Sequence, residues 1–89
     1  MERKVFERSI VESARFLKMP ASTQALYFHL GLDSGDDGMV DARGVMRLIG
    51  TSEDDLRRLE KAGLVTVPDE NWMVRVFGVG SCTETDEEG

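Results

Sequence analysis

A chain of 89 residues has room for one domain and one modest core, since a domain this small buries only about 60–65% of its unfolded surface. Apolar and charged residues at 40% and 31% exclude a disordered chain, and no run approaches the ~20 apolar residues of a membrane helix, so no membrane partner is expected. The net charge of -6 excludes a globally basic nucleic-acid field, and the single cysteine, Cys82, excludes an intramolecular disulfide or a zinc finger. MERKVFERS lacks the apolar core of a signal peptide, so the expected compartment is the cytoplasm. The acidity is uneven. Met1 to Phe77 holds 11 Lys and Arg against 13 Asp and Glu, whereas Gly78 to Gly89 holds Glu84, Asp86, Glu87 and Glu88 and no cation. A DNA-binding surface on this chain therefore has to be a local basic face.

In chain order, Met1 to Arg8 is a charged leader whose Val5 and Phe6 can lie as a short extended piece against the domain. From Ser9, Ile10, Ala14 and Leu17 recur at helical spacing, with Val11 and Met19 on the flank and Glu12 and Arg15 on the wet side. This predicts a first helix ending near Met19, because Pro20 restricts the residue before it. Ser22 is the expected cap of the next helix, TQALYFHLGL, which buries Leu26, Tyr27 or Phe28, and Leu30 as the central core helix. Asp33 to Gly38, DSGDDG, is turn chemistry, because short polar side chains bond their own backbone and glycine takes positive φ. It lacks the spacing and closing Glu of a calcium loop, so no metal site is assigned to it. Met39 and Val40 form a brief strand.

The stretch from Asp41 to Val67 carries the strongest local signals. Asp41 is an N-cap, Val45, Met46, Leu48 and Ile49 give an apolar face, and Gly50 stops the helix in the left-handed conformation. Ser52 restarts a helix whose first turn, Glu53, Asp54 and Asp55, places negative charge at the positive end of the helix dipole. Leu56 and Leu59 face inward, Arg57, Arg58 and Lys61 load the C-terminal half, and Gly63 precedes a strand from Leu64 to Val67. PDEN reads as a hairpin turn, after which Trp72, Val74 and Val76 alternate with Met73, Arg75 and Phe77 in a returning strand. The sum is an α+β domain, a small winged helix-turn-helix of three to four helices with a C-terminal two- to three-stranded β-wing over residues 1–77. Residues 78–89 have no periodicity and are expected to be a flexible acidic tail.

No catalytic constellation is legible. His29, the only histidine, has no nucleophile or orienting group at a readable spacing, and no glycine-rich stretch follows a strand and opens a helix, so neither enzyme nor cofactor is expected. The candidate with chemical content is the stripe Asp54, Arg57, Arg58 and Lys61, at i, i+3, i+4 and i+7 of the second helix of the motif. There arginine can pair with guanine in the major groove, while Arg43 and Arg47 on the preceding helix and Arg75 on the wing can contact phosphates. A solvated face fits the same residues. Asp54 can pair with Arg57 or Arg58 for only about 0.2–0.5 kcal/mol, and cations at a helix C-terminus need no ligand.

The string RFLKMPASTQALYFHLGLDSGDDGMVDARGVMRLIGTSEDDLRRLEKAGLV resembles the N-terminal domain of phage replisome organiser proteins, relatives of the DnaD-type primosomal initiators of bacteria and their prophages. The pieces that carry the resemblance are FLKMP with STQALYFHL, the DDG before the short strand, and MRLIG followed by SEDDL. It implies a winged-helix domain that helps open or organise a replication origin and assembles with itself and with a helicase or helicase loader. The expected partners are thus double-stranded DNA at an origin-like site, a second copy of the chain, and a helicase-loading protein. Two other readings belong to different classes. One is a homo-oligomerisation module built on the first helix, the leader, Trp72 and Met73, with Phe6, Phe16 and Trp72 as surface aromatics; the other is a winged-helix transcriptional regulator.

Overall fold

The computed structural model describes residues 2–67 and 72–83. Among them the chain forms a small α+β unit of five helices and two antiparallel sheets, where the sequence predicts three to four helices and one sheet. The PDEN turn at 68–71 and the acidic run at 84–89 lie outside the described residues.

The extra helix arises at Ser13. The apolar spacing predicts one helix from Ser9 to Met19, but the chain makes two single turns, α1 (Arg8–Val11) and α2 (Ala14–Leu17). The Ser13 hydroxyl donates to the Ile10 carbonyl at 2.8 Å and accepts from the Phe16 amide at 3.1 Å, closing one turn and capping the next. That break resets the helical phase. Phe16 turns inward and is fully buried, whereas Ala14 and Leu17, predicted to face the core, are exposed.

The central helix is α3 (Ala21–Asp33), which buries Leu26, Tyr27 and Leu30 and leaves Phe28 and His29 at the surface. It begins at Pro20, whose carbonyl accepts from the amides of Thr23 and Gln24, so Ser22 is not its cap. Tyr27 stacks edge-on with Phe6, Phe16 and Phe28, and its hydroxyl donates to the Phe77 carbonyl at 2.8 Å.

Next come β2 (Met39–Asp41), α4 (Ala42–Ile49), α5 (Glu53–Lys61), β3 (Val65–Thr66) and β4 (Met73–Val76). The strands form one antiparallel sheet in the order β2-β4-β3, with Val40 opposite Val74 and Val65 opposite Val76. Those four valines are buried and α3 packs on β2 and β4. Asp41 caps α4 by accepting from the Arg43 amide at 3.1 Å, and Gly50 ends it at φ 77°. Of the four apolar positions predicted to face inward on α4, Leu48 does not: it is 78% exposed, because Ala42, Val45, Met46 and Ile49 already complete the apolar stripe and Leu48 falls about 200° around from Met46.

The tail boundary also moves. Residues 79–83, expected as the start of a flexible tail, form β5 (Val79–Thr83) paired antiparallel with β1 (Glu2–Phe6), from Phe6 opposite Val79 to Glu2 opposite Thr83. Backbone pairing needs no apolar alternation, which is why the run gave no periodic signal. Gly31 provides the docking point on α3: a Cβ there would lie 2.6 Å from the Phe6 ring and 2.9 Å from a Val79 methyl. No helix among the described residues is long and apolar enough to cross a membrane.

Two outcomes follow from this packing. Gly31→Ala, despite its gain in helix propensity, is expected to lower stability by about 1–3 kcal/mol in urea unfolding, with the early loss of amide protection confined to β1 and β5. Burial, helped by the Glu7 charge, pushes the Tyr27 phenol up to about 12. A raised folded pKa favours the neutral form, so this contribution is complete below the unfolded tyrosine value near 10 and is lost as pH rises from about 10 through 12. With one tyrosine in the chain, phenolate absorbance titrates this group alone, and Tyr27→Phe removes that part of the alkaline instability.

Candidate nucleic-acid interface

The position of α5 is set by a buried acid. Asp55 is only 4% exposed, and its carboxylate accepts from the Thr23 hydroxyl at 2.7 Å, the Ser22 hydroxyl at 2.9 Å, Arg58 Nη1 at 3.1 Å and the Ser52 amide at 3.2 Å. Two of these donors come from the first turn of α3, one from the N-cap of α5 and one from the following turn of α5. Burial by itself raises the carboxyl pKa, but the hydrogen bonds from Thr23, Ser52 and Ser22 and the Arg58 charge together hold it below the usual carboxylate range. In sequence Asp55 reads as one of three acids serving the dipole at a helix start. It is instead the polar clamp between α3 and α5, and Ser22 serves it.

With Leu56 and Leu59 in the core beneath this clamp, the opposite face of α5 is exposed. Asp54, Arg57, Arg58 and Lys61 line one shallow groove of about 380 Å³ together with Glu60, so the structure gathers the stripe that the spacing predicts. Asp54 pairs with neither arginine. Arg57 Nη2 lies 3.0 Å from Glu53 Oε2, and both side chains are exposed, so the pair costs little to open. Arg58 is held by Asp55, and Lys61 has no hydrogen bond or ion pair among the described residues.

The other expected cations are spread differently. Arg43 lies 5.4 Å from the centre of the Trp72 ring, a cation–π arrangement that fixes it beside the start of β4, and Trp72 itself is held at φ 64° with its carbonyl accepting from the Ala42 amide at 2.8 Å. Arg47, one turn further along α4, is exposed. Arg75 does not join them. Its neighbours Val74 and Val76 point into the core, so it stands on the sheet face turned away from the helices, between Met39 and Thr66.

A cation missed in the sequence touches the end of α5. Arg15 Nη1 donates to the Ala62 carbonyl at the end of α5, at 3.1 Å. Nothing in the local pattern links two positions 47 residues apart; only its place beside Glu12 on the wet side of the first helix is legible in the sequence. No family model matches the chain, and no curated protein or solved structure proves similar to it.

The clamp makes a pH prediction. A carboxyl whose folded pKa is depressed adds stability above its unfolded value near 3.9, and that stability is lost as pH falls through the folded value. Asp55→Asn is thus expected to be about 2–4 kcal/mol less stable than the parent near pH 7, with the gap shrinking progressively below pH ~4 in denaturant titrations at a series of pH values.

Proposed function

We propose that this chain is the winged-helix DNA-binding module of a phage-type replisome organiser or replication initiation protein of the DnaD-like kind. The observation that carries the reading is the layout: α3, then β2, α4, a turn at 50–52, α5 and the β3–β4 pair in the sheet order β2-β4-β3, with α5 offering its cations to solvent. A winged helix has this order, and its second motif helix enters the major groove. The family assignment is supported by the residue strings FLKMP, STQALYFHL and MRLIG with SEDDL.

Under this reading Arg57, Arg58 and Lys61 meet the duplex and Arg43 and Arg47 follow its backbone, while Arg75, on the far face of the sheet, drops out of the footprint. Glu53 and Asp54 occupy the end of α5 from which such helices usually read bases. Binding is therefore dominated by phosphate contacts and weak in sequence preference, as suits a protein that coats or organises an origin, and it requires no catalytic group.

The self-association reading loses its aromatic support, since Phe16 is buried, Phe6 stacks on Tyr27 and Phe28, and Trp72 lies against Arg43. It retains exposed apolar residues on the elements it names, Val5 on β1, Leu17 on α2 and Met73 on β4, together with Phe28 and Leu32, one turn apart on α3.

Anisotropy of a labelled duplex tests the proposal. Three to five phosphate contacts predict an affinity loss of about 40- to 500-fold for a fourfold rise in salt. The variant to compare is Arg57→Glu with Lys61→Glu; Arg58 is left intact because its loss would strip Asp55 of a partner. Affinity that ignores salt, or survives the double substitution, would remove α5 from DNA, and dimers in light scattering that Leu32→Glu abolishes would favour the assembly module.

A further inference from the structure

Beside the α5 groove lies a second cleft, about 520 Å³ and open to solvent, between α2 and the C-terminal half of α5. Arg15 and Lys18 line it from one side and Arg58 and Lys61 from the other; Met19, Pro20 and Ala62 supply its apolar part, and no acid lines it. In a chain with net charge -6, four cations drawn together without a lining carboxylate need a physical reason.

The end of α5 supplies only part of one. A helix C-terminus carries roughly half a negative charge, and Arg15 already occupies its Ala62 carbonyl. Asp55 holds one guanidinium nitrogen of Arg58. Each arginine has five N–H donors in a fixed fork, so both keep donors to spare while their orientation is set. Lys18 and Lys61 have no partner among the described residues. Apolar walls around like charges focus the field and raise the local concentration of an anion. Arg58 and Lys61 also line the α5 groove, so the two clefts share a cationic wall.

We infer that this cleft takes a backbone phosphate of the duplex, so that the DNA footprint runs from α5 across to Arg15 and Lys18 on and just after α2. The inference rests on the DNA-binding reading and extends it to residues outside the motif. It gives the paired turns α1 and α2 a task that a single continuous helix, with Phe16 out of phase, would not perform.

Lys18→Gln is the discriminating variant, because Lys18 is exposed and supports no hydrogen bond or ion pair among the described residues. Loss of one phosphate contact lowers the salt slope by about one unit, so a fourfold rise in salt should cost Lys18→Gln about 3.5-fold less affinity than the parent chain. Arg75→Gln should leave slope and affinity unchanged. If the parent binds and responds to Arg57→Glu with Lys61→Glu, but the Lys18→Gln titration superimposes on the parent's, the cleft is not part of the footprint and the α5 interface stands. A flattened slope in Arg75→Gln alone would move the footprint to the sheet and overturn the inference. Competition by inorganic phosphate well below millimolar, at constant ionic strength, would assign the cleft to a small free anion instead. No duplex binding by the parent chain would remove the proposed function, and this phosphate with it.

Discussion

The structure depends on a carboxylate that has been taken out of water. An unpaired buried Asp55 would cost several kcal/mol, and the donors from Ser22, Thr23, Ser52 and Arg58 offset that cost. That requirement fixes more than one contact. Apolar packing of Leu56 and Leu59 is tolerant of small slides and rolls of α5, whereas four donors converging on two oxygens are not. The helix is therefore held to α3 in both rotation and translation, and the directions of Arg57, Arg58 and Lys61 are set from below.

What was legible in the sequence was what three or four neighbouring residues decide. Asp41 caps α4, Gly50 ends it and the restart at Ser52 lies where expected, because caps and left-handed stops are local. What was not legible is decided across the chain. Ser22 looks like a cap until Asp55, 33 residues later, claims it. Phe16 reads as a surface aromatic until the Ser13 hydroxyl shifts the phase and brings it against Tyr27. Of the candidate interface, the stripe on α5 was readable from spacing alone. The alternation along β4 puts Arg75 opposite the valines, but that this face is turned away from the helices, and that Arg15 approaches α5, required the tertiary fold.

The charge distribution reconciles an acidic chain with a local cationic face. Along α5 the acids Glu53, Asp54 and Asp55 occupy the first turn and Arg58 and Lys61 the last, the order that the helix dipole favours. Helix stability and the cationic face thus share one arrangement. The same gradient that supports the helix in isolation leaves its C-terminal half cationic, next to Arg15 and Lys18, while the acid of greatest structural weight is hidden beneath Arg58. A net charge summed over the sequence averages over this polarity and conceals it.

The ribbon of β1 and β5 joins positions as distant as Glu2 and Thr83. Closing a flexible loop of that length costs on the order of 4 kcal/mol of chain entropy, too much for a two-stranded ribbon to recover by itself. Once α3 and the three-stranded sheet have formed, the two segments are already neighbours over Gly31 and most of that entropy has been lost. The ribbon is consequently a product of folding and not a cause of it: a latch that closes after the transition state, slowing unfolding while leaving the rate of folding nearly untouched.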